Sequence, residues 1–199
     1  MRLIFILCIC CCLSCTSDVV PDNVFTLLPQ SRTNIDFSND LPIELDLNIL
    51  TYMYYYNGGG VGVGDLNNDG LMDCIFSSNL GAEKVYINRG NLSFEDVSEK
   101  VKVDGGPNSW TNGVSIADVN GDGLLDIYLS QVGQYRSLDC RNKLFICQSI
   151  GDNGIPQYKE SAKEYGVDFQ GFSTQAGFFD YDNDNDCLLY TSPSPRDRG

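Results

Sequence analysis

Three stretches of the chain place aspartate or asparagine at every second position around a tight turn, and only a sharply curled loop can use that pattern. Residues 60–76 read GVGVGDLNNDGLMDCIF, residues 113–129 read GVSIADVNGDGLLDIYL, and the two align without a gap. Residues 176–186 read AGFFDYDNDND and begin a third copy. Self-similarity of this kind marks a repeat architecture, in which each unit buries its apolar face against the next. The shared form is Asp-x-Asn/Asp-x-Asp-Gly-x-x-Asp. It supplies Asp65, Asn67, Asp69 and Asp73 in the first loop and Asp118, Asn120, Asp122 and Asp126 in the second.

Alternate side chains of a curled loop turn their oxygens to its inside, where like charges repel unless a cation sits among them. Calcium takes about six to eight such oxygens, and glycine at the sharp turn lets a backbone carbonyl join them. Gly70 and Gly123 stand at that turn, which requires a left-handed backbone. The carbonyls of Leu71 and Leu124 then complete the expected ligand sets. In the third loop Asp180, Asp182 and Asp184 are the expected ligands, with Asn185 in the glycine place and Leu188 where the last carboxylate belongs. Ca²⁺ is therefore the expected cofactor. A helix-loop-helix calcium site is excluded, because its twelfth position needs Glu and here holds Phe76 and Leu129. The flanks are short and β-favouring, so the loops are expected to join strands.

A second shared pattern follows each loop. KVYIN at 84–88 leads to FEDV at 94–97, and KLFIC at 143–147 leads to YKES at 158–161. Each reads as a hairpin, so a repeat holds four short strands, the content of one propeller blade. The predicted fold class is all-β: a partial β-propeller of four-stranded antiparallel blades with calcium loops in strand-loop-strand hairpins.

Composition narrows the function. The chain has 13 Lys and Arg against 27 Asp and Glu, a net charge of -14, and no histidine. An acidic surface repels phosphate backbones, which argues against nucleic acid as a partner. Without histidine there is no Ser-His-Asp or Cys-His nucleophile and no histidine-ligated zinc in this stretch.

Residues 1–14 hold one arginine, an apolar run and a small residue before Cys15, the layout of a secretory signal. Cys15 followed by Thr16, Ser17 and Asp18 resembles a bacterial lipoprotein processing site, which makes Cys15 the expected lipidation site. Residues 15–24 are the expected tether, and the expected location is secreted, at the outer membrane or cell surface, with the membrane reached through the lipid. Five of the nine cysteines are Cys15 and the four that precede it in the leader. Cys74, Cys140 and Cys147 have no CxxC spacing and read as small buried apolar residues. CLLYTSPSPRD at 187–197 interrupts the third loop and resembles the conceptual translation of a transposase adapter used in sequencing libraries. Residues 187–199 are accordingly expected to be an artefact and a loose tail. Residues 25–186 form the expected propeller portion, about two blades and the start of a third. The far face of the second blade is expected to be open, and residues 16–186 alone are expected to be unstable.

The loops resemble the FG-GAP or VCBS repeat family, the blades of integrin-α-type propellers. FTLLP at 25–29, NILTY at 48–52, NGGG at 57–60 and STQA at 173–176 further resemble ASPIC/UnbV-type surface lipoproteins of Bacteroidota. The resemblance implies a non-enzymatic calcium-binding surface module that recognises or adheres to a protein or glycan. The alternative is a polysaccharide-degrading propeller enzyme with its catalytic residues elsewhere. Tyr52, Tyr54 and Tyr56 are expected to alternate on a strand and to serve packing, as is Trp110 between blades.

Overall fold

The computed structural model describes residues 25–42, 45–180 and 187–193. Two four-stranded antiparallel meanders dominate it. The first runs β1 (Val61–Gly64), β2 (Asp73–Phe76), β3 (Lys84–Asn88) and β4 (Phe94–Asp96), paired in that order. The second runs β5 (Thr111–Ala117), β6 (Asp126–Gln131), β7 (Lys143–Ile150) and β8 (Pro156–Glu160), again in sequence order. A further antiparallel pair joins β9 (Ser173–Phe179) to β10 (Leu188–Pro193). The all-β prediction and the four-strand repeat are what the backbone shows.

Alternation along the strands decides which faces meet. Ile75, Val85 and Ile87 of the first sheet pack on Val114, Ile127, Leu129 and Phe145 of the second, in one apolar layer. Gly62 of β1 lies where this layer is thinnest. A Cβ there would come within 2.8 Å of the Ile116 Cδ1 and 2.9 Å of the Val114 Cγ1. The second sheet's other face carries Tyr128, Leu144 and Ile146, which pack with Ala162, Val119 and Ala176 and receive Phe178 and Leu189. The sheets are thus stacked face to face in chain order, as blades are.

Two expectations change here. The far face of the second sheet is covered by β9 and β10 rather than open. Nor are residues 188–193 loose, because Leu188–Pro193 pairs with β9 from Leu188↔Phe179 to Pro193↔Ser173, while the rest of the expected tail lies outside the described residues. The cause is local: β9 presents an unpaired edge of N–H and C=O groups, and a short run of β-favouring residues satisfies it.

The segment before β1 is not a strand. Asn48 caps a turn through its side-chain oxygen, which accepts from the amides of Leu50 (2.9 Å) and Thr51 (3.3 Å). Residues 53–56 are also turns, so the expected alternation of Tyr52, Tyr54 and Tyr56 gives way to spacing by three. Tyr52 and Tyr55 are buried, Tyr54 is half-buried and Tyr56 is exposed. Tyr52 and Tyr55 flank Trp110, which is fully buried with ring centroids 5.1 Å from Tyr52 and 5.4 Å from Tyr55. Trp110 is a packing residue, as expected, but it anchors the tyrosine segment on the second sheet's entry rather than joining sheet to sheet. Further upstream, Phe37 stacks on Phe76 at 5.1 Å and Asp36 accepts the Tyr86 hydroxyl at 2.7 Å, covering part of the first sheet's other face.

At the opposite end of the sheets from the aspartate loops, Glu83 ties the two units together. Its carboxylate is buried and accepts from the Gly105 amide at 2.7 Å and the Thr111 hydroxyl at 2.6 Å. Burial pushes this carboxyl above the usual carboxylate range, with the two hydrogen bonds opposing the shift. The free thiols Cys140 and Cys147 are buried and Cys74 half-buried, in keeping with a packing role.

Candidate metal centre

Each complete aspartate loop closes a hairpin between the first two strands of its sheet. Gly64 pairs with Asp73 across β1 and β2, and Ala117 pairs with Asp126 across β5 and β6. Everything between those pairs is loop. Its turn uses left-handed backbone at Gly70 (φ 85°) and Gly123 (φ 82°), as the glycine pattern requires, and also at Asn68 (φ 56°) and Gly121 (φ 71°).

The side chains repeat one hydrogen-bond pattern. In the first loop the Asp65 carboxylate accepts from the amides of Asp69 (3.0 Å) and Gly70 (2.8 Å), while Asp69 accepts from the Leu71 amide (2.9 Å). In the second, Asp118 accepts from the amides of Asp122 (3.1 Å) and Gly123 (2.8 Å), and Asp122 accepts from the Leu124 amide (2.8 Å). Asn67 and Asn120 each donate to the neighbouring aspartate at 3.0 Å and accept from its amide at 3.2 Å. Five of the expected ligands of each loop thus sit in one hairpin, with Leu71 and Leu124 placed by their amides. Asp180 follows β9, and Asp182 and Asp184 lie outside the described residues, as does Cys15.

Asp73 and Asp126 differ from the rest. Both are buried at the start of the second hairpin strand. Asp73 accepts from the amides of Leu66 (2.9 Å) and Asn88 (2.8 Å), so one carboxylate ties loop, β2 and β3 together. Asp126 does the same with Val119 (3.0 Å) and Cys147 (2.8 Å). Sequence reasoning missed this second role. The positions were aligned, since Asn88 and Cys147 both end the shared KxxIx motif, but their contribution is a backbone N–H and leaves no side-chain signal.

The electrostatics of these two carboxyls follow from their burial beside other aspartates. Burial, reinforced by the charges of Asp69 and Asp65, pushes the Asp73 carboxyl up to about 6 despite its two amide bonds. Burial and the charges of Asp122 and Asp118 push Asp126 up in the same way. The ion pairs among the described residues involve other carboxylates, those of Glu95, Asp96, Asp46, Asp168 and Glu164. Among the described residues no three His, Cys, Asp or Glu groups stand together as a ready-made metal cluster. The loop instead gathers carboxylate and side-chain amide oxygens, a hard donor set, in one hairpin. That set suits calcium in kind, whereas the thiol of Cys74 does not.

With the geometry described, comparison with known proteins adds to it. Residues 65–129, from the start of the first loop to the end of β6's apolar run, match the FG-GAP-like repeat. The match supports that repeat family for the part of the chain that holds both complete loops. Cartilage acidic protein 1 of mouse and of human are each 30% identical over 111 residues, 55% of this chain. The aligned stretch is 17% of the mouse protein and 16% of the human one, so this chain spans only a small part of the length of these relatives.

Proposed function

We propose that this chain is a calcium-binding cell-surface lipoprotein whose β-propeller-type module recognises a protein or glycan and catalyses no reaction. Its loops hold Ca²⁺ through Asp65, Asn67, Asp69, the Leu71 carbonyl and Asp73, and through Asp118, Asn120, Asp122, the Leu124 carbonyl and Asp126. The third loop adds Asp180, Asp182 and Asp184. The observation that carries this reading is the repeated hairpin that brings Asp65, Asn67 and Asp69 to the buried Asp73, and Asp118, Asn120 and Asp122 to the buried Asp126. The FG-GAP-like repeat supports a propeller-type module of the extracellular, adhesive kind, and the leader ending at Cys15 supports export and a lipid anchor.

Calcium bound in the loops supplies positive charge; the chain's residues do the rest. The loop amides preorganise Asp65 and Asp69, and Asp73 transmits their position to β3. Calorimetric titration of calcium into the full chain at neutral pH should show binding at both complete loops. Asp69→Ala should remove the first event and Asp122→Ala the second, each by loss of a central charged ligand. Absence of any calcium-dependent heat would reduce the loops to turns.

A further inference from the structure

The two complete loops are not equivalent in what they touch outside themselves. The Asn68 side-chain amide, at the fourth position of the first loop, donates at 3.0 Å to the Gly123 carbonyl of the second. Gly123 C=O and Leu124 N–H belong to one rigid peptide plane. The N–H side of that plane donates to the Asp122 carboxylate at 2.8 Å. Asn68 therefore holds the peptide unit that orients a central ligand of the neighbouring loop. A second tie runs the same way, from the Asn67 amide to the Gly154 carbonyl at 3.1 Å in the turn between β7 and β8. It leaves Asn67 only 8% exposed, whereas its counterpart Asn120 is exposed.

The second loop cannot repeat the reach. Gly121 stands where Asn68 does, with the same left-handed backbone and no side chain. Asparagine tolerates that conformation better than most residues, so Asn68 keeps the turn and adds a donor. The bridge is a feature of this one junction and not of the repeat.

We propose that Asn68 couples the two loops, so that an ion in the first raises the calcium affinity of the second and the reverse. The proposal rests on both loops binding calcium. An ion held by Asp65, Asn67 and Asp69 fixes the backbone on either side of Asn68, which lowers the entropic cost of keeping its amide on Gly123. The second loop then meets its ion with the Gly123–Leu124 peptide already placed. Reciprocity follows, since coupling between two binding equilibria acts equally in both directions.

The test is a cycle of variants of the full chain titrated with calcium alone. Asn68→Gly copies the residue already present at Gly121, so the turn is retained and only the bridge is lost. Asp69→Ala empties the first loop. With the bridge intact, Asp69→Ala should weaken calcium binding at the second loop by about three- to tenfold, the effect of one hydrogen bond's order. Asn68→Gly should weaken it by a similar factor, and the two together no further. With the second loop silenced by Asp122→Ala, Asn68→Gly should leave the first loop's own affinity unchanged. The proposal is overturned if second-loop affinity ignores Asp69→Ala, if the two effects simply add, or if Asn68→Gly weakens the first loop on its own. Lack of binding at both loops in the unaltered chain would overturn the calcium reading itself, and the coupling with it.

Discussion

Asp73→Ala should lower the unfolding free energy of the calcium-free protein by about 2–4 kcal/mol, because it takes a buried acceptor from two backbone amides. The amides of Leu66 and Asn88 are shielded from water where they meet the carboxylate, which is itself fully buried. Asp73→Asn should also destabilise. Its oxygen can accept from one amide, but its NH₂ must then face the other donor. Part of the loss is offset, since the variants remove a carboxylate that burial and two neighbouring aspartates disfavour. Asp126→Ala should behave alike through Val119 and Cys147. Asp65→Ala should cost less, because the amides it serves are exposed. Denaturant melts decide between these outcomes. An unchanged midpoint for Asp73→Ala would show that the carboxylate ties nothing, whereas equal losses for Asp65 and Asp73 would assign the effect to loop charge alone.

Trp110→Ala should be the costliest substitution away from the loops, at about 3–5 kcal/mol. The indole is fully buried against Tyr52 and Tyr55, and its Nε1 donates to the Asn112 side chain at 2.9 Å. It is the only tryptophan in the chain, so its fluorescence reports this cluster without interference. Emission should be that of a buried indole and should shift to the red in the same transition that melts the sheets. Trp110→Phe should retain most of the packing and lose the hydrogen bond, at a smaller cost. Red-shifted emission in the native protein would remove the tyrosine segment from the fold described here.

Much of this architecture was legible because repetition makes sequence self-interpreting. The loops of residues 65–73 and 118–126 align by residue, so their hairpins could be placed before any packing was known, as could the strands from Lys84 and Lys143. Gly70 and Gly123 announced the left-handed turn through the absence of a side chain. Three features resisted. The tyrosines at 52, 54 and 56 fit a strand pattern, but an Asn48 cap and the burial of Tyr55 instead of Tyr54 reflect a local side-chain bond that alternation does not encode. The pairing of β10 depends on a free edge of β9, which the β-favouring residues of β10 do not by themselves announce. The structural work of Asp73 and Asp126 runs through backbone amides, which every residue has and no motif marks. Asn68 was equally hidden, since at a turn asparagine reads as a conformational choice until its amide is seen on Gly123.

If calcium balances the charge of the aspartate loops, as proposed, its stabilising effect depends on pH in a directly measurable way. Burial and the charges of Asp69 and Asp65 push the Asp73 carboxyl up to about 6, above the usual carboxylate range. The stability from its raised proton affinity is therefore fully present below the unfolded-state pKa, about 3.9, and is lost as pH rises through about 6. Calcium competes with that proton and should matter most where the proton has left. Thermal unfolding of the calcium-stripped full chain, with and without saturating calcium, should show a small difference at pH 5. At pH 7.5 the difference should be larger, with calcium raising the midpoint by about 5–10 °C for each site filled a hundredfold above its dissociation constant. Identical melting curves with and without calcium at both pH values would contradict the account.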